Sequence, residues 1–234
     1  LRTQPNNHLQ AGKHAEYLLS LGKKRVFVMS IQAPFAQPTQ ERVAEVLKAE
    51  GAEMVGALIY EKDKPTYRTE IDQAMRTKPD VMYLNGYAPD VTIVVRDLFR
   101  AGYDGLRFTQ SYAMTSKVLE GLPPEVTEGI QTVQPSADIN SPAFELAKKR
   151  LGNEPDSYEA QATDWISVVV LGIAKAGEAR GEGIRNVSRR ITQGSGEKVY
   201  SAVDGLRLIK EGKEINYEGV SGPCDFNDIG DILD

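Results

Sequence analysis

Four short apolar segments recur at nearly even spacing in the first half of this 234-residue chain, and each ends in a polar or aromatic turn. They begin at Val26, Val55, Val81 and Leu106, so successive starts lie 29, 26 and 25 residues apart. The sequence between them has helical periodicity, and a right-handed crossover between parallel strands requires a connection of that length. The spacing therefore predicts an α/β fold in which a parallel sheet carries helices on both faces.

The carboxyl ends of these strands are the first place to expect a ligand, because parallel sheets of this kind bind at that edge. The corresponding segments are 30–35, 60–66, 86–90 and 110–112. Among them Ser30, Gln110 and Ser111 could offer hydrogen bonds to a ligand, although polar residues at strand ends often only cap the next helix. Tyr60 and Tyr67 are expected to pack locally.

Composition is that of an ordinary globular protein, with 26% charged and 41% hydrophobic residues, and the length suits one large or two modest domains. A net charge of -5 without a long basic run argues against nucleic acid as a partner. No apolar stretch in the sequence reaches the roughly 18 residues that span a membrane. Cys224 is the single cysteine, which excludes an intrachain disulfide and any multi-cysteine metal site.

The character of the sequence changes near residue 135, which divides the chain into a predicted α/β part, 1–135, and a mainly helical part, 136–234. Predicted helices of the first part are 8–20, 39–50, 66–78, 89–101 and 115–119, with a further strand over 130–133. The second part is predicted to contain helices over 141–151, 157–177 and 183–192, with short strands around 198–201 and 222–226.

The helix predicted from residue 157 is apolar on most sides, and its Trp165 is expected to lie in a core. A helix of this kind must be buried against something large. The second part of the chain supplies only short strands for that purpose. We therefore expect the missing sheet to come from residues that precede Leu1, which would make the chain a fragment of a longer protein.

The sequence gives no support for a catalytic site, a metal site or a nucleotide site. His8 and His14 are six residues apart and cannot share a helical face at i, i+3 or i+4 spacing, so both are expected on the solvated surface. The segment 194–198 does not meet the spacing of a phosphate-binding loop, and no nucleophile-elbow motif occurs. No catalytic residue, metal or cofactor is predicted.

Five short motifs, in order along the chain, resemble those of the substrate-binding proteins of ABC transporters. The resemblance is to the leucine/isoleucine/valine-binding branch of the type I periplasmic binding fold. One motif reads Lys-Pro-Asp-Val from Lys78 and continues to Gly86-Tyr87, and another reads Gly-Val-Ser-Gly-Pro from Gly219. The others occupy residues 1–3, 24–29 and 158–177.

Membership of that family would make the protein an extracytoplasmic receptor, periplasmic or lipid-anchored, that delivers a small solute to an ABC permease in the membrane. In the family the solute lies in a cleft between two lobes. Residues 1–135 would form the second lobe, and 136–234 would return to a first lobe whose opening portion is absent from the chain. That portion, or a neighbouring chain, is the expected protein partner of the helical part.

The resemblance also nominates three ligand-binding aromatic residues. Phe35 and Tyr87 fall on aromatic positions of the family's strand-end loops, and Tyr112 falls where amino-acid binders carry the acid that pairs with the ligand's ammonium group. A phenol supplies no negative charge at neutral pH. The expected solute is therefore amino-acid-like or, preferentially, an aromatic or other organic carboxylate, unless Asp63 or Asp90 replaces the missing acid.

Two alternatives remain open from the sequence. One is a receptor for amides or another sensory ligand on the same fold. The other is an enzyme or regulator built on a flavodoxin-like sheet, which the lack of a phosphate loop, of paired carboxylates and of a nucleophile with a base disfavours.

Overall fold

The computed structural model describes residues 1–233 and divides into two compact units. One unit is Asn7–Gln134, and the other combines Leu1–Asn6 with the chain from Pro135 onward. The first six residues thus group with the second part of the chain, because Arg2 bonds through its backbone to Gly230 and Ile232. The assignment of these units to the lobes of a binding protein stays a prediction.

The first unit is built on a five-stranded parallel sheet in the order β2-β1-β3-β4-β5. The four predicted strands and the fifth strand are therefore confirmed, and all neighbours run parallel. The strands are β1 Arg25–Ile31, β2 Glu53–Tyr60, β3 Val81–Asn85, β4 Leu106–Gln110 and β5 Ile130–Val133.

Helices cover both faces of this sheet because successive side chains of a strand point to opposite sides. Val28 joins one buried cluster with helices α1 and α2, whereas its neighbour Met29 joins another with α3 and α4. The predicted α/β class is thus confirmed. The helices are α1 Asn7–Ser20, α2 Ala36–Ala49, α3 Arg68–Met75, α4 Ala88–Arg100, α5 Ser116–Glu120 and α6 Pro124–Thr127, and a 3₁₀ turn spans Ser111–Ala113.

Helix α2 begins at Ala36, three residues before its predicted start, and two further expectations about this unit are wrong. Helix α3 begins at Arg68 rather than residue 66, because the Thr66 hydroxyl and the Tyr67 amide both bond to the carboxylate of Asp97 on α4. His14 is buried rather than solvated. It lies on the same face of α1 as the core residues of that helix, and its ring packs edge-on against Phe108.

The second unit is mainly helical and contains one short pair of parallel strands joined by a helix. The predicted strand near 198 is confirmed, but the strand predicted over 222–226 is wrong. That segment makes only isolated bridges, and the strand that pairs with the first one is Ile215–Tyr217. Its elements are α7 Pro142–Leu151, α8 Ser157–Ala176, α9 Gly181–Thr192, β6 Glu197–Val199, α10 Ala202–Lys210 and β7 Ile215–Tyr217.

Helix α8 begins with a full capping box between Asp156 and Glu159 and ends at Gly177, whose φ of 73° suits glycine. One face packs on α9 and α10. The prediction that Trp165 is a core residue is wrong, since Trp165 is 52% exposed and Ile166 54% exposed. Elements of this unit cover only one side of this helix. Within residues 1–233 no helix combines the length and hydropathy needed to cross a membrane.

Candidate functional site

Three predicted aromatic residues meet at the carboxyl edge of the five-stranded sheet. Phe35 directly precedes α2, Tyr87 precedes α4, and Tyr112 lies in the 3₁₀ turn after β4. The Phe35 and Tyr87 rings pack edge-on with centroids 5.9 Å apart, and the Tyr87 and Tyr112 rings are tilted by 40° at the same separation. We call these three residues the aromatic cluster.

The aromatic cluster is partly open to solvent. Tyr87, at its centre, is 49% exposed, and Phe35 and Tyr112 are half-buried. Ring pairs at these separations attract each other beyond the area that they bury, which favours this arrangement of the three side chains. The cluster therefore presents a preformed apolar wall with phenolic groups, suited to an aromatic or aliphatic ligand that also carries polar atoms.

The three polar candidates have different surroundings. Ser30 is completely buried, and its hydroxyl oxygen accepts hydrogen bonds from the side-chain amides of Gln40 and Asn85, each at 3.2 Å. Ser111 donates to the side chain of Gln134 at 2.9 Å. Gln110 ends β4 next to the aromatic cluster but makes no side-chain cap bond. The structure thus brings Gln110 and Ser111 to the edge, while Ser30 lies beneath it.

Asp90 and Asp63, the two acids that could replace the acid absent at position 112, have different surroundings. Asp90 is buried, and its Oδ1 accepts hydrogen bonds from the Tyr67 hydroxyl at 2.6 Å and from the Asp63 amide at 2.9 Å. Asp90 therefore organises the loop between β2 and α3. The Asp63 side chain is exposed and lies 3.9 Å from Lys62. In Asp90 it is Oδ1 that accepts both hydrogen bonds, and the Asp63 carboxylate lies next to the Lys62 ammonium group.

Comparison with known families identifies the chain. The sequence pattern of the family described as periplasmic binding protein matches residues 1–228, which is nearly the whole chain. The chain belongs to the periplasmic binding protein family. Its fold is the type I fold of that family, as the resemblance implied.

Solved structures agree with this membership at low sequence identity. A leucine-binding protein from Thermotoga maritima matches 99% of the chain with a TM-score of 0.75 and 20% identity, and the chain spans 61% of its length. A type 1 periplasmic binding protein from Bordetella pertussis matches 82% with a TM-score of 0.69 and 17% identity, over 59% of its length.

A third solved structure is an ABC transporter solute-binding protein from R. palustris in complex with benzoate. It matches 82% of the chain with a TM-score of 0.66 and 15% identity, and the chain spans 54% of its length. Comparison with curated protein sequences produced no match.

Sequence reasoning missed a buried acid that organises the second unit of this periplasmic binding protein. Asp164 on α8 accepts four hydrogen bonds, from the Tyr217 hydroxyl, the Val220 amide, and the amide and hydroxyl of Ser221, at 2.6–2.8 Å. Burial raises the pKa of Asp164, and these hydrogen bonds oppose that rise. The Gly-Val-Ser-Gly-Pro motif is thereby fixed to α8, with Gly219 so close that a Cβ there would meet the carboxylate.

Tyr60 is a buried residue whose hydroxyl sequence reasoning did not single out. It ends β2, its side chain is buried, and its ring packs edge-on against Tyr67 at 4.8 Å. Local packing was expected, but its hydroxyl reaches across to Gly86, immediately before the aromatic cluster. The sequence gives one signal for this contact: a tyrosine ends one predicted strand, and a glycine lies at the end of another.

Proposed function

We propose that the protein containing residues 1–234 is the solute-binding receptor of an ABC importer, periplasmic or lipid-anchored on the extracytoplasmic side. It binds a small organic solute without converting it and presents it to a membrane permease. Family membership and the benzoate and leucine binders of the same fold support this role. The observation that carries it is the aromatic cluster at the edge where parallel sheets bind ligands.

The preferred solute is an aromatic or other organic carboxylate rather than an α-amino acid. Tyr112 occupies the position that the family resemblance assigns to an ammonium-binding acid, and the buried Asp90 already accepts two hydrogen bonds. Transferring an unpaired ammonium group out of water is costly. The phenol of Tyr112 instead donates a hydrogen bond, while Phe35 and Tyr87 supply apolar surface. The R. palustris protein of the same fold was solved with benzoate.

A thermal-shift screen of the full-length protein tests the proposal. The panel contains benzoate, an aliphatic carboxylate, leucine and an aliphatic amide, each at the same concentration. Because a ligand that binds only the folded state raises its stability, a bound solute raises the melting temperature. We expect the largest rise with benzoate and little or none with leucine.

Three other results would change the proposed solute class or the proposed role. A rise with the amide alone would favour an amide receptor. Stronger stabilisation by leucine than by either carboxylate would contradict the solute class. Chemical turnover of any member of the panel, followed by chromatography, would contradict the receptor role itself.

A further inference from the structure

The side chain of Tyr60 contains a buried polar atom that the fold leaves unsatisfied. Tyr60 is 2% exposed, and its hydroxyl oxygen has no hydrogen-bond partner within residues 1–233. Buried polar groups in folded proteins are nearly always paired, so an orphaned hydroxyl calls for an explanation such as a ligand or an ordered water. The neighbouring Tyr67 shows the usual situation, because its hydroxyl donates to Asp90 and lies 3.1 Å from the carbonyl of Glu61.

This hydroxyl lies against Gly86, at the carboxyl end of β3 and one residue before the central ring of the aromatic cluster. A Cβ on Gly86 would overlap the Tyr60 hydroxyl oxygen, so the phenol occupies the space that a side chain at residue 86 would fill. The next residue is Tyr87, the central ring of the cluster. Tyr112, its other phenol, is near enough to contribute to the raised pKa of Tyr60.

The charge environment determines what the hydroxyl can bind. Burial and the neighbouring carboxylate of Asp90 raise the pKa of Tyr60, so the phenol remains protonated and can donate a hydrogen bond. The same carboxylate disfavours a second negative charge close by. An uncharged oxygen, such as a hydroxyl or a carbonyl, therefore suits this position better than a carboxylate does.

We propose that Tyr60 is a specificity-determining residue that hydrogen-bonds an uncharged oxygen substituent of a solute held by the aromatic cluster. This inference rests on the proposed function and names its solute class more closely: an aromatic carboxylate with a second, neutral oxygen. A site built to hydrogen-bond a substituent rejects the analogue without it, because the buried polar group of the site would then stay unpaired.

The test is isothermal titration calorimetry of the full-length protein with benzoate, 3-hydroxybenzoate and 4-hydroxybenzoate. In the parent protein we expect at least one hydroxybenzoate to bind about ten-fold more tightly than benzoate, as the gain of one buried hydrogen bond implies. Tyr60→Phe should bind benzoate as the parent does and lose that preference. Its fold should persist, because the hydroxyl makes no bond with the rest of residues 1–233.

Tyr67→Phe is the matched control, since it also removes one buried phenol hydroxyl. We expect this variant to melt at a lower temperature, because it loses the hydrogen bond to Asp90. It should keep the hydroxybenzoate preference of the parent.

The results separate the inference from the proposed function. An unchanged preference in Tyr60→Phe, or equal weakening toward all three probes, would overturn the inference and leave the receptor role standing. A parent protein that binds benzoate but prefers neither hydroxybenzoate would overturn it as well. If the parent binds none of the three benzoates, the aromatic carboxylate class and this inference both fail.

Discussion

The Nδ1 atom of His14 lies 2.7 Å from the hydroxyl oxygen of Tyr83, inside the core between α1 and the sheet. The two residues are 69 positions apart and share one hydrogen bond. The His14 ring also packs edge-on against Tyr83 and Phe108. Burial lowers the pKa of His14 from 6.5 to about 4, because the charged imidazolium would lose its hydration there.

Folding stability should therefore fall with pH, because the unfolded chain protonates His14 at pH values where the folded protein keeps it neutral. Its pKa is lower in the folded than in the unfolded state, so its contribution is complete above pH 6.5 and is lost as the pH falls toward 4. Between pH 7 and 4.5 this amounts to about 2–3 kcal/mol of the free energy of unfolding. Urea unfolding at both pH values should show a smaller loss for His14→Gln than for the parent.

His8 provides the control for this pH dependence. It lies on the same helix with its side chain exposed, so His8→Gln should follow the parent at both pH values. Parallel pH dependences of the parent and His14→Gln would contradict the assignment of a buried, neutral His14.

The Asp164 carboxylate should dominate the stability of the second unit. In Asp164→Asn the side-chain amide nitrogen takes the place of one carboxylate oxygen. This nitrogen cannot accept the hydrogen bonds that the oxygen receives, and it lies against hydrogen-bond donors. We expect a loss of about 2–4 kcal/mol in the free energy of unfolding. Ser221→Ala removes only the hydroxyl bond and should cost about 1 kcal/mol. Urea titration followed by far-UV circular dichroism measures both, and equal stability of Asp164→Asn and the parent would contradict the role.

The sequence sufficed to predict the parallel sheet and the meeting of the aromatic cluster. Strand spacing determines the crossovers, and the carboxyl-edge rule brings Phe35, Tyr87 and Tyr112 to one side of the sheet. The sheet and its carboxyl edge follow from short-range pattern and topology, whereas the choice of these three aromatic residues came from the resemblance to the periplasmic binding proteins.

Residues whose environment depends on distant partners could not be predicted. His14 has a partner in β3, and Asp164 has its donors more than 50 positions away. Whether the Tyr60 hydroxyl has a hydrogen-bond partner depends on how far its ring extends over the neighbouring strand. Trp165 was misassigned because a helix that is apolar on most sides does not indicate which of its faces its own unit covers.

The exposed face of α8 leads to a prediction about the intact protein. We expect polypeptide outside residues 1–234 to cover Trp165 and Ile166, since apolar side chains so exposed usually mark a contact surface. Ile166→Asp should then destabilise the full-length protein by about 2–4 kcal/mol, because the carboxylate would be buried without a partner. Thermal unfolding would show this as a clear drop in melting temperature.

Val203 on α10 is the matched control for Ile166→Asp. It is an apolar helical residue with 63% exposure, so Val203→Asp should change the free energy of unfolding by no more than about 0.5 kcal/mol. Equal tolerance of both substitutions would show that the α8 face remains solvated in the full-length protein.

Tyr112 provides the sharpest test of the solute class, because two substitutions there should change the binding of benzoate and of leucine by different mechanisms. Tyr112→Phe removes a donor to the carboxylate and should weaken benzoate binding several-fold, as the loss of about 0.5–1.5 kcal/mol implies. Tyr112→Glu introduces an acid that pairs with an ammonium group, so leucine binding should strengthen relative to benzoate. Tyr112→Gln, which is uncharged and of similar length to glutamate, should not favour leucine. Calorimetry with both solutes measures the ratios, and a parent protein that binds leucine tightly, with Tyr112→Phe indistinguishable from it, would refute the assignment.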